Sequence, residues 1–242
     1  MTKKNNAEKV TAKQFGLTNN NPGPGTEVKK EPETKRLWFF ATDNNRLRYG
    51  DNREIVLDET HTSDETPDLC VAGLHASPRI VDALIFAPGK NLCRVTLSGI
   101  VNTDNNFDWF TPNKYCGNSR TYHAVIDAST VLDEHVRDNL SKYLVKSPIK
   151  VNDDIAHFLE TGIDPAYTIN HLTAVDLKNQ EERNFIDYVW RTCQAKLTDN
   201  GYAKMTLYCK LIYEMYYLPG LNEESLFKNL DAKALKTMNL TE

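Results

Sequence analysis

The sequence contains no apolar run approaching the ~20 residues that cross a bilayer. Its first residues also lack the charged, apolar and small-residue order of a signal peptide. Basic charge is not in excess, since the formal net charge is −4, so no global field attracts nucleic acid. Its five cysteines are irregularly spaced, which is typical of reduced thiols rather than of a disulfide framework. We therefore predict a cytoplasmic protein that binds neither a membrane nor nucleic acid.

Several motifs that identify reactions are also missing. The sequence has no Walker loop, no dinucleotide-binding glycine fingerprint and no Gly-x-Ser-x-Gly nucleophile elbow. It has no Cys-x-x-Cys pair either. Ligand-type side chains occur at Cys70, His75, Cys93, Cys116 and His123, but without the spacing of a zinc site. We accordingly predict no metal site and, in the simplest interpretation, no cofactor.

Composition divides the chain into three segments. Residues 1–36 are rich in Asn, Pro, Gly, Lys and Glu and poor in apolar residues, and they carry eight Lys or Arg against four Glu. Such a segment buries too little surface to offset its ordering entropy, which indicates a disordered, mildly basic N-terminal arm. Residues 37–147 are predicted to be a strand-rich domain, and residues 148–242 a helical module.

The strand-rich segment has three recognisable strands and one short helix. Leu37–Ala41 is an aromatic run typical of a buried strand, and Leu92–Asn102 alternates with the period of a half-buried strand. Arg120–Ile126 is a further predicted strand. Ser77-Pro78 is a good helix start, with Ser as N-cap and Pro at the first helical position, and Pro88-Gly89 would end that helix.

After Asp127 the apolar spacing becomes helical. Apolar stripes predict a helix that ends before Pro148, a second over Asp153–Glu160 and three more towards the C-terminus. The predicted fold class is therefore α+β: a small mixed β-sheet with one short crossing helix, followed by a helical C-terminal region.

The stretch Leu69–Arg79 has a residue order that folding alone does not require. It places a Cys, a His, a Ser and an Arg around a glycine turn, directly before the predicted crossing helix. A helix N-terminus favours an anion, and Arg side chains pair with phosphate. The candidate ligand site therefore consists of His75, Ser77, Arg79 and Arg120, although His75 is also a common type of structural His beside a turn.

This stretch resembles a family associated with phages and prophages. The family pattern has a Cys-x-x-Gly-Leu-His-Ala-Ser element, a Cys-Arg-Val-x-Leu-Ser-Gly strand and an Arg-Thr pair. The matching elements here are Cys70–Ser77, Asp82-Ala83-Leu84, Ala87-Pro88-Gly89, Cys93–Gly99, Arg120-Thr121 and Asp127-Ala128. The resemblance covers about residues 37–147. It implies a phage-type accessory protein of unknown activity, located in the host cytoplasm or in the virion.

The same order of elements is also similar to the ADP-ribosyltransferase fold. That resemblance implies an enzyme using NAD, with His75 and Ser77 at the turn and Arg79 or Arg120 on the pyrophosphate. The first strand, Leu37–Ala41, nevertheless has no His or Arg, and no Glu stands where such an enzyme carries its catalytic one. ADP-ribosyl transfer from NAD is therefore an alternative function that rests on fold analogy.

The preferred interpretation is a binding or virion-associated role without turnover, towards an unidentified host or virion protein, with the NAD-using enzyme as the alternative. An aromatic stripe at Tyr208, Tyr213, Tyr216 and Tyr217 could supply a partner surface, although such a stripe is more commonly helix core. The sequence indicates no oligomeric state. It leaves enzyme and binding protein as open alternatives.

Overall fold

A computed structural model describes residues 34–48, 50–99, 102–103, 112–163 and 179–241. The predicted N-terminal arm lies, except for its last three residues, outside these ranges. All described residues belong to one compact unit. Within these ranges, no helix is both long enough and apolar enough to cross a membrane.

The described elements comprise seven strands, six α-helices and one π-helical turn. The strands are β1 (Lys35–Ala41), β2 (Thr60–Thr62), β3 (Leu74–Ala76), β4 (Asn91–Ser98), β5 (Asn102–Thr103), β6 (Tyr115–Gly117) and β7 (Ser119–Asp127). The helices are α1 (Ile80–Leu84), α2 (Ala128–Lys146), α3 (Asp153–Thr161), α4 (Gln180–Leu197), α5 (Gly201–Met215) and α6 (Asn229–Thr237), with the π-helical turn at Glu224–Lys228.

The strands form two sheets. The larger has the order β1-β4-β7-β2, and the smaller has the order β3-β6-β5. The α+β class and the helical C-terminal region are thus confirmed. Every strand pair among the described residues is antiparallel, however, whereas a mixed sheet was predicted. The mixed arrangement was wrong because, after β2, β3 and α1, the chain enters β4 at the same end of the sheet where it left β1, with Asn91 opposite Ala41.

Both faces of the larger sheet are covered. Side chains alternate along β1, so that Trp38 and Phe40 belong to the main core with the helices, while Leu37 and Ala41 belong to a second cluster. The main core also contains apolar side chains of every described helix. The second cluster lies on the face that carries Tyr122 and includes residues of β3. The sheet is therefore a middle layer between the helices and the β3 segment.

Asn and Asp residues begin the long helices as the sequence predicts. Asp127, Asn152, Asn179 and Asn200 each accept a hydrogen bond from a backbone N–H in the first turn of the following helix. Gly162, with φ of 69°, ends α3 in the left-handed conformation that glycine adopts easily. Local side-chain chemistry thus determines most of the helix boundaries.

The short helix α1 begins later than predicted. Its N-cap is Arg79 rather than Ser77, because the backbone N–H and C=O of Ser77 both pair with Trp38 of β1. The first helical N–H, that of Ile80, donates to Oδ1 of Asp231 at 2.8 Å. The side chain of Asp231 from α6 therefore replaces the predicted serine cap, which attaches α1 to the last helix.

Candidate functional site

The Leu69–Arg79 stretch forms a tight turn followed by β3. The amide of Ala72 donates to the carbonyl of Asp68 at 3.0 Å, and the amide of Asp68 donates back to Ala72 at 3.1 Å. Cys70 and Gly73 both have positive φ angles, 66° and 85°. The backbone here is held in a conformation that disfavours most side chains.

Gly73→Ala is expected to lower the free energy of unfolding by about 2–3 kcal/mol. A Cβ at position 73 would lie 2.9 Å from Sγ of Cys116 and 3.1 Å from Cα of Pro67, in addition to the strain of positive φ. Gly50 has the same φ but nothing within 4 Å of its Cβ position. Gly50→Ala is the matched control and should cost about 1 kcal/mol in urea unfolding. Equal losses in both variants would contradict the crowding at Gly73.

The imidazole of His75 lies against this turn. Its Nε2 accepts a hydrogen bond from the backbone N–H of Cys70 at 3.1 Å. Burial, followed by the charges of Lys114 and Arg120, lowers the pKa of His75 below its usual 6.5. The ring is therefore neutral at pH 7 and fixes the turn as a hydrogen-bond acceptor.

An exposed surface lies beside the turn, where Lys114 contacts two separate segments of the chain. Its Nζ lies 2.7 Å from Sγ of Cys70 and 4.5 Å from the ring centroid of Phe86. Val71, beside Cys70, is 78% exposed, and Ile85, beside Phe86, is exposed as well. We call Cys70, Val71, Ile85, Phe86 and Lys114 the Lys114 patch. In this patch Lys114 contacts Cys70 and Phe86, and Val71 and Ile85 are their exposed neighbours in the sequence.

Arg120 lies beneath β3 and is only 2% exposed. Its Nη1 donates to the carbonyl of His75 at 2.6 Å, and its Nε donates to the hydroxyl of Tyr122 at 2.9 Å. The guanidinium stacks on Phe39 at 3.6 Å from the ring centroid. The Tyr122 hydroxyl is also 3.0 Å from Nδ1 of His61. Arg120 therefore joins the two sheets through an interior network.

The other two predicted site residues have different surroundings. Ser77 is buried and pairs with β1 through its backbone. Arg79 forms two hydrogen bonds of 2.8 Å to the fully buried Asp82 and a longer one, 3.5 Å, to Glu223. The structure thus brings His75 and Arg120 into contact, whereas Arg79 faces the C-terminal helical region.

Among the described residues, no three His, Cys, Asp or Glu side chains converge as metal ligands. Cys116 donates its thiol to the carbonyl of Ala72 at 2.9 Å, and Cys93 is buried in β4, where burial raises its pKa to about 12. His123 is within 2.6 Å of Oγ1 of Thr96. Each of these groups has a role in packing or hydrogen bonding.

Two further features of the surface concern Lys114 and the tyrosine stripe. Lys114 is not among the site residues predicted from the sequence, because only the pairing of β3 with β6 brings it beside Cys70. Most of the tyrosine stripe is core, since Tyr208 is fully buried and Tyr213 is partly buried against the main cluster. Tyr217 is the stripe residue that is largely exposed.

Comparisons with protein-family models, with curated proteins and with solved structures found no match for this chain.

Proposed function

We propose that the protein is a phage-type accessory protein that acts by binding a host or virion protein through the Lys114 patch, in the host cytoplasm or in the virion. The observation that carries this proposal is the geometry of the patch. Exposed apolar side chains that adjoin one another around a polar group are typical of protein-binding surfaces. At this patch, Lys114 contacts both Cys70 and Phe86 and so links the two exposed segments.

The surroundings of the predicted NAD residues support binding over turnover. The N–H groups of Arg120 point to Tyr122 and His75 in the interior, and those of Arg79 pair with Asp82. An Arg that holds a pyrophosphate must present its N–H fork to the ligand. Arg120 is only 2% exposed, and the charge of Arg79 is balanced by the carboxylate of Asp82 at 2.8 Å, so neither guanidinium offers an accessible, uncompensated charge to a pyrophosphate.

Val71→Asp is expected to abolish partner capture, because it places a charge within the apolar part of the Lys114 patch. Val145→Asp is the matched control, since Val145 is 87% exposed and lies on α2 outside the patch. The measurement is affinity capture from cells of the source organism, with quantification of the proteins retained. We expect one partner that the wild type and Val145→Asp retain and that Val71→Asp loses.

The wild type and His75→Ala test the alternative of NAD chemistry. Nicotinamide release by the wild type, lost in His75→Ala with the fold intact, would replace the binding proposal with the ADP-ribosyltransferase-like one. In the capture experiment, equal retention of the partner by the wild type, Val71→Asp and Val145→Asp would contradict the assignment to the Lys114 patch. Loss in both Asp variants would show that an added charge, rather than its position, prevents binding.

A further inference from the structure

A small pocket on the helix-facing side of the larger sheet is lined by cationic side chains. Its volume is about 140 Å³, and its lining consists of Arg36, Arg94, His123, Leu235, Leu240 and Thr241. No carboxylate contributes to this lining, although Asp and Glu outnumber Lys and Arg in the whole chain. The pocket lies outside the Lys114 patch and shares no residue with it.

Three adjacent strands supply the two guanidinium groups and the imidazole. Arg36 of β1 pairs with Thr96 of β4, and Arg94 lies two residues away on the same face of β4. Such diagonal neighbours have Cα atoms about 7–8 Å apart, so two long guanidinium side chains can reach one ligand. The pairing of β1 with β4 thus places the guanidinium groups of Arg36 and Arg94 close to each other.

A β-bulge adds His123 to the same face. Arg94 pairs with Ala124 and Val95 pairs with Tyr122, so His123 is the extra residue between the two pairs. Bulges commonly redirect a side chain at a functional position. One ring nitrogen of His123, Nε2, is hydrogen-bonded to Thr96, which holds the ring over β4 and leaves Nδ1 to serve a ligand.

The end of α6 closes the pocket. Asn239 has a φ of 55°, the amide of Leu240 donates to the carbonyl of Leu235, and the amide of Asn239 donates to that of Lys236. These are the two hydrogen bonds of a Schellman turn, which folds the chain back after a helix. The turn places the apolar side chains of Leu235 and Leu240 against the cationic groups and brings Thr241 to the rim.

Arg94 has interactions within the chain and still suits a ligand site. It is 6% exposed, its guanidinium lies 4.5 Å from the ring centroid of Trp38, and Asp231 is close enough to interact with its charge. A guanidinium carries five N–H donors in a planar fork, so it can serve internal partners and an oxyanion together. Packing against Trp38 also fixes its position before any ligand arrives.

We propose that this pocket binds a small tetrahedral oxyanion, either free phosphate or the phosphoryl group of a larger molecule. Two guanidinium groups and an imidazole from three strands provide charge-assisted hydrogen bonds to its oxygens. The Thr241 hydroxyl at the rim can add a further donor. The inference is independent of the proposed protein partner, because none of its residues belongs to the Lys114 patch.

Isothermal titration calorimetry of the full chain with inorganic phosphate tests the site, with chloride at equal ionic strength as the control for screening. Saturable binding is expected for phosphate and not for chloride. Arg36→Gln should weaken phosphate binding about five- to ten-fold, because an exposed charge-assisted contact is lost. His123→Gln should weaken it less, and Arg183→Gln, an exposed Arg on α4 outside the pocket, should leave it unchanged.

A second titration with glycerol 3-phosphate distinguishes the two sources of the anion. Tighter binding than inorganic phosphate indicates a phosphorylated organic ligand, and weaker binding indicates the free anion. The proposal is overturned if neither anion binds saturably, or if Arg36→Gln and His123→Gln both bind like the wild type. NAD contains a pyrophosphate and could enter this pocket, so nicotinamide release rather than NAD binding remains the test of enzymatic turnover.

Discussion

Arg120→Met is expected to lower the free energy of unfolding by about 3 kcal/mol, because it leaves buried polar groups without their donor. The carbonyl of His75 loses its 2.6 Å hydrogen bond, and the hydroxyl of Tyr122 loses one of its two partners. Stacking of the guanidinium on Phe39 is lost as well. The measurement is equilibrium unfolding in urea, followed by fluorescence and circular dichroism.

Two further variants control this experiment. Arg183→Met removes an exposed Arg and should change stability by less than about 0.5 kcal/mol. Arg120→Lys should remain destabilised, because an ammonium cannot reproduce the planar fork that reaches both Tyr122 and His75. A loss below about 1 kcal/mol in Arg120→Met would contradict the interior role of this residue. Because Arg120 variants are expected to be less stable, the folded fraction of each variant must be measured before a loss of function is assigned to the site.

Asp231→Asn is expected to gain stability over the wild type as the pH rises, with a difference that grows by up to about 4 kcal/mol between about pH 4 and pH 8. Burial raises the pKa of Asp231 to about 7 in the native state, against 3.8 for an ordinary Asp. Its Oδ1 accepts the hydrogen bond from the amide of Ile80, and an Asn side-chain oxygen can accept the same bond. The substitution therefore removes the ionisation and keeps the contact.

The direction of this effect follows from proton binding. Between about pH 4 and pH 7 the native state holds a proton on Asp231 that the unfolded chain has released. The native state is therefore favoured at the acid end of this range. Stability falls as the pH rises towards 7, by up to about 1.4 kcal/mol per pH unit, and Asp231→Asn lacks that loss.

Urea unfolding of the wild type and Asp231→Asn at about pH 5, 6.5 and 8 measures the difference directly. Other titrating groups, such as His135, whose pKa burial lowers to about 4, are present in both proteins and cancel in the comparison. Asp231→Ala is the control for the hydrogen bond and should be destabilised even at about pH 5. A difference between wild type and Asp231→Asn that does not change with pH would contradict a buried, protonated carboxyl group.

Much of the fold could be predicted because its signals are local. The alternation in β1 and β4, the apolar stripes of the long helices and the Asn or Asp residues that begin them all act within a few residues. The predicted start of α1 was wrong because the observed start depends on residues that are distant in the sequence. Ser77 is a good cap by composition, but its backbone pairs with Trp38, and the group that caps α1 is Asp231.

The candidate site could be predicted only in part. His75 and Arg120 were both singled out from the sequence, and they are in contact, although through the His75 carbonyl rather than its side chain. Lys114 could not be found, because its place beside Cys70 depends on the pairing of β3 with β6. The main partner of Arg79 is Asp82, three residues further along, so helical spacing could have indicated that its charge is paired, whereas the weaker contact with Glu223 depends on the tertiary fold.

The shared core determines the order in which a newly made chain can finish folding. Trp38 and Phe40 of β1 are buried in the same cluster as Leu230 and Ala234 of α6. The amide of Ile80 likewise depends on Asp231 for its hydrogen bond. During synthesis the core beneath β1 therefore lacks part of its cover, and the amide of Ile80 lacks its acceptor, until α6 has been made. A chain that stops short of α6 is accordingly expected to expose apolar surface that the full chain buries.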